Sequence, residues 1–211
     1  MNAAPPPIDL VLDLDLDLWP VTMNRPSLSS VHLWEQLLDI YEARALNPYG
    51  LSLINQRAHA VQSGELARQQ GLSDSLVTAA LLHDIGHMVH ELGDHPAAQG
   101  IDDQHEAIGA VWLSQHFGPA VTDPVRLHVA AKRYLCTVEP AYRALLSRDS
   151  IESLALQGGL MSAEEVAVFE REPYGQDAVS LRRIDELAKD PQAPDLAFAE
   201  FRETVMRACA G

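Results

Sequence analysis

The 211-residue chain has little cysteine: two residues, Cys136 and Cys209. Two thiols so far apart make neither a disulfide framework nor a zinc-type pair, and a reducing cytoplasm is their simplest home. Aromatic residues are also few, 6%, while Ala and Leu abound. That disfavours a sandwich or barrel and favours helices. Cations are outnumbered, with 15 Lys and Arg against 30 Asp and Glu, for a formal net charge of -15. Such a chain repels nucleic acid and anionic membrane surfaces, so neither is expected as a partner. An anionic small molecule would have to be caught by local cations. No apolar run is long enough to span a bilayer. What remains is 47% apolar residues, enough for one domain with a sizeable core and hardly enough for two.

Residues 1–22 differ from the rest, with three consecutive prolines and an alternation of Leu and Asp from Leu10 to Leu18. The period is that of a strand, yet no other segment offers a partner strand. It lacks the basic start and unbroken apolar stretch of a signal peptide. It reads as an extension with little order or as sequence upstream of the functional start at Met23; an edge segment packed on the domain is the alternative. Residues 23–211 then read as a single all-α domain. Ser27, Ser29 and Ser30 offer caps for a helix to about Leu46, and Asn47 to Gly50 is a turn. Helices are expected from Leu53 to Gln70, from Ser73 into His83, and from His105 to Phe117. Asp123-Pro124 opens the next. Two short helices follow between Pro140 and Leu156. Ser162 to Glu165 forms a capping box, and helices over Asp177–Lys189 and Asp195–Cys209 complete the chain. Leu92 to Asp103 reads as a loop.

His83-Asp84 ends an apolar helical run, so an imidazole and a carboxylate sit together at the edge of a core and can face one cation. His105 opens one helix and His128 lies within the next, which suggests a second metal. Asp84, with two oxygens, is the natural bridge. Nitrogen and carboxylate ligands together suit iron, manganese or zinc better than magnesium. His32, His90, His95 and His116 have no such context and read as surface or loop residues. Helical spacing adds a further point. His128 and Lys132 are four apart, Arg182 and Asp185 three, and His83 and His87 four, so each pair shares a face. A cation beside a metal ligand repels the metal, whereas an anion bound to both metal and cations requires the arrangement.

The run Leu81-Leu82-His83-Asp84-Ile85-Gly86-His87 resembles the signature of the HD superfamily, which takes a further His from an upstream helix and an Asp from a late one. His59 and Asp185 are the candidates. His128-Val129-Ala130-Ala131-Lys132-Arg133-Tyr134-Leu135, Gln157-Gly158-Gly159 with Met161, and Asn55-Gln56 leading to His59-Ala60-Val61-Gln62 resemble a narrower family. This is the HD-domain mixed-valence di-iron oxygenases of phosphonate catabolism, and the likeness runs from about Tyr49 to Lys189.

The resemblance implies a single HD-domain helical bundle with two iron ions, Fe2+ and Fe3+, and O2 as co-substrate. One iron would be held by His59, His83, Asp84 and Asp185, the other by Asp84, His105 and His128. A phosphonate would sit against His87, Lys132, Ser150 and Arg182, with Asp84, His87 and Lys132 at the reacting centre and Tyr49 guarding the vacant iron. The family breaks the carbon–phosphorus bond of a 1-hydroxy-2-ammonioethylphosphonate and releases phosphate and glycine or glycine betaine. Glycine-forming members carry a glutamate three positions after the tyrosine. Here Ser52 stands in its place, so Asp39 or Glu42 must meet a primary ammonium, or a trimethylammonium meets aromatic walls such as Tyr49 and Trp34. Two other readings remain at this point: a metal-dependent HD phosphohydrolase acting on a nucleotide or other phosphate ester, and a metal-dependent regulator without catalysis.

Overall fold

The run Asp74–Leu82 (α3) has every residue from Leu76 to Leu82 buried. In the computed structural model, which describes residues 30–46, 54–89 and 103–209, this helix lies at the centre. The side chain of Ser73 caps it by accepting from the Leu76 N–H, worth about 1 kcal/mol. Its leucines each contribute about 1.5–3 kcal/mol through burial, and Ala79 and Ala80, both fully buried, let neighbouring helices approach closely.

Gln56–Gln69 (α2) packs on one side of α3 and Arg202–Cys209 (α11) on another. Gly64 makes this possible: a Cβ there would lie 2.8 Å from the ring of Phe201. Ser30–Asp39 (α1) runs on into a π-helical turn, Ile40–Arg44, that carries Tyr41 into the core. Tyr41 and Trp34 both stack on Phe198, at ring-centroid distances of 4.3 and 5.5 Å. Trp34 is therefore a core residue and not an aromatic wall for a ligand.

The chain after α3 turns sharply through His83, Asp84 and Ile85 into Gly86–Val89 (α4). Two glycines then let α4 meet His105–Leu113 (α5). A Cβ on Gly86 would lie 2.0 Å from the His105 carbonyl oxygen, and one on Gly109 would lie 3.2 Å from the Gly86 nitrogen. The longest described helix, Pro119–Val138 (α6), packs against α3, α5 and Gly175–Leu187 (α10). It also anchors two satellite clusters. One joins Leu127 and Ala131 to Met161, Phe169 and Ala178, and reaches Ala163–Phe169 (α9). The other joins Leu135 and Cys136 to Tyr142, Leu146 and Leu154, on Pro140–Arg143 (α7), the linker after it and Arg148–Leu156 (α8).

Among the described residues every extended element is a helix, with one isolated bridge at Asn55, as expected from composition, and none of these helices is long and apolar enough to cross a membrane. Several boundaries differ from the sequence-based expectation. Helix α6 begins at Pro119, not at Asp123-Pro124, because extended Gly118 serves as its N-cap and Pro119 presets the first helical turn. Pro124 then lies inside the helix. Helix α5 correspondingly stops at Leu113, short of Phe117. The final helix starts as a 3-10 turn, Phe198–Phe201, whose three-residue period aligns both phenylalanines toward the core. Helix α2 begins at Gln56, where Asn55 caps it by accepting from Ala58 N–H, and α10 ends at Leu187, so Lys189 lies beyond it. The Ser162–Glu165 capping box is present. The expectations for residues 1–22, the caps Ser27 and Ser29, the turn at 47–50, Tyr49, Ser52, His90 and His95, and all of the 92–103 loop but Asp103 fall outside the described residues.

Candidate metal centre

Helix α2 supplies His59, the turn after α3 supplies His83 and Asp84, α5 opens on His105, α6 carries His128 in its middle, and α10 carries Asp185 in its last turn. All six are buried, His59 and His83 completely. The fold brings them to one place although they span five segments of chain.

The ring nitrogens fix how each histidine points. His59 Nδ1 donates to the Ala188 carbonyl oxygen at 2.8 Å, His83 Nδ1 to that of Ala80 at 2.9 Å, and His128 Nδ1 to that of Val125 at 2.7 Å. His105 Nδ1 meets Asp103 Oδ1 at 2.8 Å. Each of these oxygens only accepts, so each Nδ1 carries a proton and each Nε2 is left to face the centre. The Nε2 atoms of His59 and His83 stand 3.2 Å apart, those of His105 and His128 3.1 Å. Two nitrogen ligands at right angles around one ion, each about 2.1 Å from it, would be about 3 Å apart.

Asp84 lies between the two pairs. Its Oδ1 is 3.7 Å from His105 Nε2 and 3.8 Å from His128 Nε2, while its Oδ2 is 3.6 Å from His59 Nε2. His83 Nε2 is 3.3 Å from Oδ1. Asp185 Oδ1 stands 3.4 Å from His59 Nε2. Asp84 Oδ2 is a buried carboxylate oxygen with no hydrogen-bond partner, an arrangement that is unfavourable unless a cation lies against it. Asp185 Oδ1 also has no hydrogen-bond partner, but the Lys189 ammonium stands 3.6 Å from it. The residues therefore fit a metal on each side of Asp84, and the chain has a metal-binding His/Asp cluster.

Charge within the cluster agrees. Burial opposes the charge on Asp84, but the imidazoles of His83, His87, His105 and His59 outweigh it and hold its carboxyl well below the usual range. Burial pushes His83 down, and burial with the neighbouring His105 and His83 pushes His128 far down. Burial also opposes a proton on His105, yet the Asp103 hydrogen bond and the Asp84 charge prevail and raise it to about 9. A metal binding there must displace that proton.

A second buried polar group lies beside the first. Lys132 is 3% exposed and its Nζ donates to Ser153 Oγ at 2.8 Å. Burial and the nearby Arg182 and Lys189 lower its pKa to about 7. Arg182 donates from Nε to the Tyr142 hydroxyl at 2.9 Å, from Nη2 to Ser150 Oγ at 3.0 Å and Glu186 at 2.6 Å, and from Nη1 to Asp185. Its guanidinium is thus a brace for Asp185, with Ser150 in contact. Lys189 Nζ reaches Glu186 at 3.3 Å and Asp185 at 3.6 Å.

Sequence reasoning missed Asp103, Ser153, Tyr142, Glu186 and Lys189. Helical spacing could have found two of them, since Glu186 is four residues beyond Arg182 and Lys189 four beyond Asp185. Of the acids considered for an ammonium, Asp39 and Glu42 are exposed, and Glu42 pairs with Arg57. His32 is exposed and His116 partly buried, both away from the cluster. Arg133 and Thr137, on α6, hold the Gly158–Met161 segment through Gly158 O, Gly159 O and Met161 N.

The chain matches the HD domain over residues 57–169. It is 40% identical over 190 residues to the [1-hydroxy-2-(trimethylamino)ethyl]phosphonate dioxygenase (glycine-betaine-forming) of Leisingera caerulea, covering 88% of this chain and 96% of that protein. It is 47% identical over 148 residues to the hydroxymethylphosphonate dioxygenase of Gimesia maris, covering 68% of this chain and 73% of that one. An uncharacterised protein of Acanthamoeba polyphaga mimivirus is 32% identical over 156 residues.

Proposed function

The chain belongs to the HD-domain family, among the phosphonate dioxygenases, and on that footing we propose that it cleaves the carbon–phosphorus bond of a 1-hydroxy-2-(trimethylammonio)ethylphosphonate. The overall change takes up both atoms of O2. A carbon–hydrogen and the carbon–phosphorus bond break, and a carboxylate, here glycine betaine, and phosphate are formed. The observation that carries this reading is the juxtaposition of two facing histidine pairs across Asp84 with the buried Lys132 one helical turn from His128.

His59, His83, Asp84 and Asp185 would hold one iron; Asp84, His105 and His128 the other. The pair, as Fe2+ and Fe3+, would supply the O2 binding and one-electron chemistry that imidazoles and carboxylates lack. Lys132 and Ser150 would take the phosphonate oxygens. Among the described residues Lys132 has a hydroxyl and no carboxylate as its hydrogen-bond partner, which leaves its charge to an incoming anion. Arg182 adds positive charge beside them while it steadies Asp185. His87, partly exposed beside Asp84 and His105, would face the hydroxyl and phosphonate. Binding would exclude water from the reacting carbon, since the lining groups are already buried.

The amine end follows from what the buried acids do. The buried carboxylates among the described residues are Asp84, Asp103 and Asp185, and each already serves a metal position or a histidine. That supports a headgroup with no N–H to satisfy, as does Ser52 in place of the family glutamate. The free thiols Cys136 and Cys209 suit a reducing cytoplasm.

The test loads the chain with iron without oxygen, then adds O2 and one of three substrates: the trimethylammonio, the primary ammonio or the hydroxymethyl phosphonate. Phosphate should be released only with O2, and fastest from the first. Oxygen-independent hydrolysis of nucleotides would overturn the reading in favour of a phosphohydrolase.

A further inference from the structure

Three of the four buried histidines lock their Nδ1 against a main-chain carbonyl, at Ala188, Ala80 and Val125. His105 alone among them uses a side-chain carboxylate, that of Asp103. A carbonyl would orient the ring as well, so the carboxylate brings something more: a second acceptor oxygen. Asp103 Oδ2 takes it up with His87, whose Nδ1 lies 2.7 Å away. The rings of His87 and His105 stack at 4.0 Å between centroids, 20° from parallel. Nitrogens of both lie within 4.8 Å of each other and of an Asp84 oxygen.

The backbone is shaped for this. Gln104, between Asp103 and His105, is the only non-glycine residue with positive φ among the described residues, at φ 47° and ψ 35°. That left-handed turn is unfavourable for a residue with a Cβ. It allows Asp103 and His105, two positions apart, to face the same way, and Asp103 Oδ1 also accepts from the His105 N–H at 3.3 Å. Asp103 is itself buried.

We infer that Asp103 is a positioning residue that holds two histidines with one carboxylate: His105, on the metal side, and His87, on the substrate side. Its two oxygens fix the two rings relative to each other, so neither turns without the other. The metal position next to His128 is thereby coupled to the group that meets the substrate. This rests on the two-metal reading given above.

The test uses Asp103→Asn in the full chain. An amide offers one acceptor oxygen and turns an NH2 toward the other Nδ1–H, so the shared hold is broken and both rings lose their fixed relation. Zinc affinities of the two positions, measured by competition with a chelator, should differ from wild type at one position only, by 10- to 100-fold. In the iron-loaded enzyme, KM for the hydroxyphosphonate should rise. His87→Ala should raise KM while leaving both zinc affinities within about twofold, and should add little to KM in the Asp103→Asn background. Asp103→Glu, with both oxygens on a longer arm, should move the same quantities by a smaller factor and serves if the Asn variant fails to fold. Equal weakening of both zinc positions, or a change in zinc affinity or KM alone, overturns the inference. A wild type that binds fewer than two ions overturns the two-metal reading, and the inference with it.

Discussion

His59 and His83 turn their Nε2 atoms toward each other at 3.2 Å, while each donates its Nδ1–H to a main-chain carbonyl oxygen. Two lone pairs so close repel unless a cation lies between them. His105 and His128 face each other in the same way at 3.1 Å, there with a proton on His105 that a metal must displace, and Asp84 borders both pairs.

Asp84→Ala should therefore take metal content from about two ions per chain to near zero, whereas His105→Ala should leave about one, held by His59, His83 and Asp185. Elemental analysis of the anaerobically loaded variants checks this. Equal loss from both, with the helical spectrum intact, would mean that Asp84 is not shared.

Lys132→Ala should keep its metal, since a cation does not hold a cation. It should lose about 2–5 kcal/mol of transition-state binding, a fall in kcat/KM of roughly 30- to several thousand-fold, if a buried contact to a dianion disappears. Iron loss from this variant would make Lys132 structural.

The depressed pKa of Lys132 gives a pH signature. It faces Arg182 and Lys189, which disfavour its charge, and Asp185 and Cys136, which favour it. In the free enzyme its charge is present below about pH 7 and lost above, so kcat/KM should fall with rising pH through that region. Lys132→Arg stays charged and should lack this limb, even if its absolute rate is low. The same shift acts on stability in the opposite sense. The charged lysine is disfavoured in the folded chain, so its contribution should grow more favourable from about pH 7 up to the unfolded value near 10.4. A profile identical for wild type and Lys132→Arg would remove Lys132 from binding.

Arg182→Ala would strand Asp185 and Glu186 without their guanidinium. Breaking a buried pair on one side is worth about 3–5 kcal/mol, so urea denaturation of the metal-free chain should show a loss of that order. An unaltered midpoint would show that Lys189 alone suffices.

Gly86→Ala would place a methyl group against the His105 carbonyl oxygen. Helix α5 must then retreat from α4, at about 1–3 kcal/mol, and carry His105 away from His128. Thermal unfolding and metal content should both drop. Gly71→Ala serves as a comparison, since it meets open space but a positive φ: it should lose some stability and no metal.

The helical class, the His83-Asp84 pair and the nearness of Lys132 to His128 were legible because they depend on local signals, whereas His59 and Asp185 were reached only through the resemblance to the HD superfamily. Ala and Leu runs, caps such as Ser73 and Ser162, and spacings of three and four residues all act within a turn or two. Asp103 was not legible, since its role depends on a left-handed Gln104 and on His87 arriving from another helix. The start of α6 was misplaced because two prolines competed for the first turn, and Gly118, rather than a polar cap, decided between them. Trp34 showed no signal that separates a core ring from a pocket wall; its partner, Phe198, lies far along the chain.

The hydrogen bond from His59 to the carbonyl of Ala188 joins positions 129 residues apart, and Asp185 sits on the same closing segment. A metal gripped by His59, His83 and Asp185 would therefore fasten a very long loop. An ion that binds only the folded chain stabilises it by mass action, about 2.7 kcal/mol at a free concentration about a hundred times its Kd. The ion would then act as a clasp, and chelation would loosen α10 from α2 first. Synthesis of the chain runs the same dependence in reverse: His59 and His83 emerge early with half a site between them, and the clasp closes only when α10 has docked.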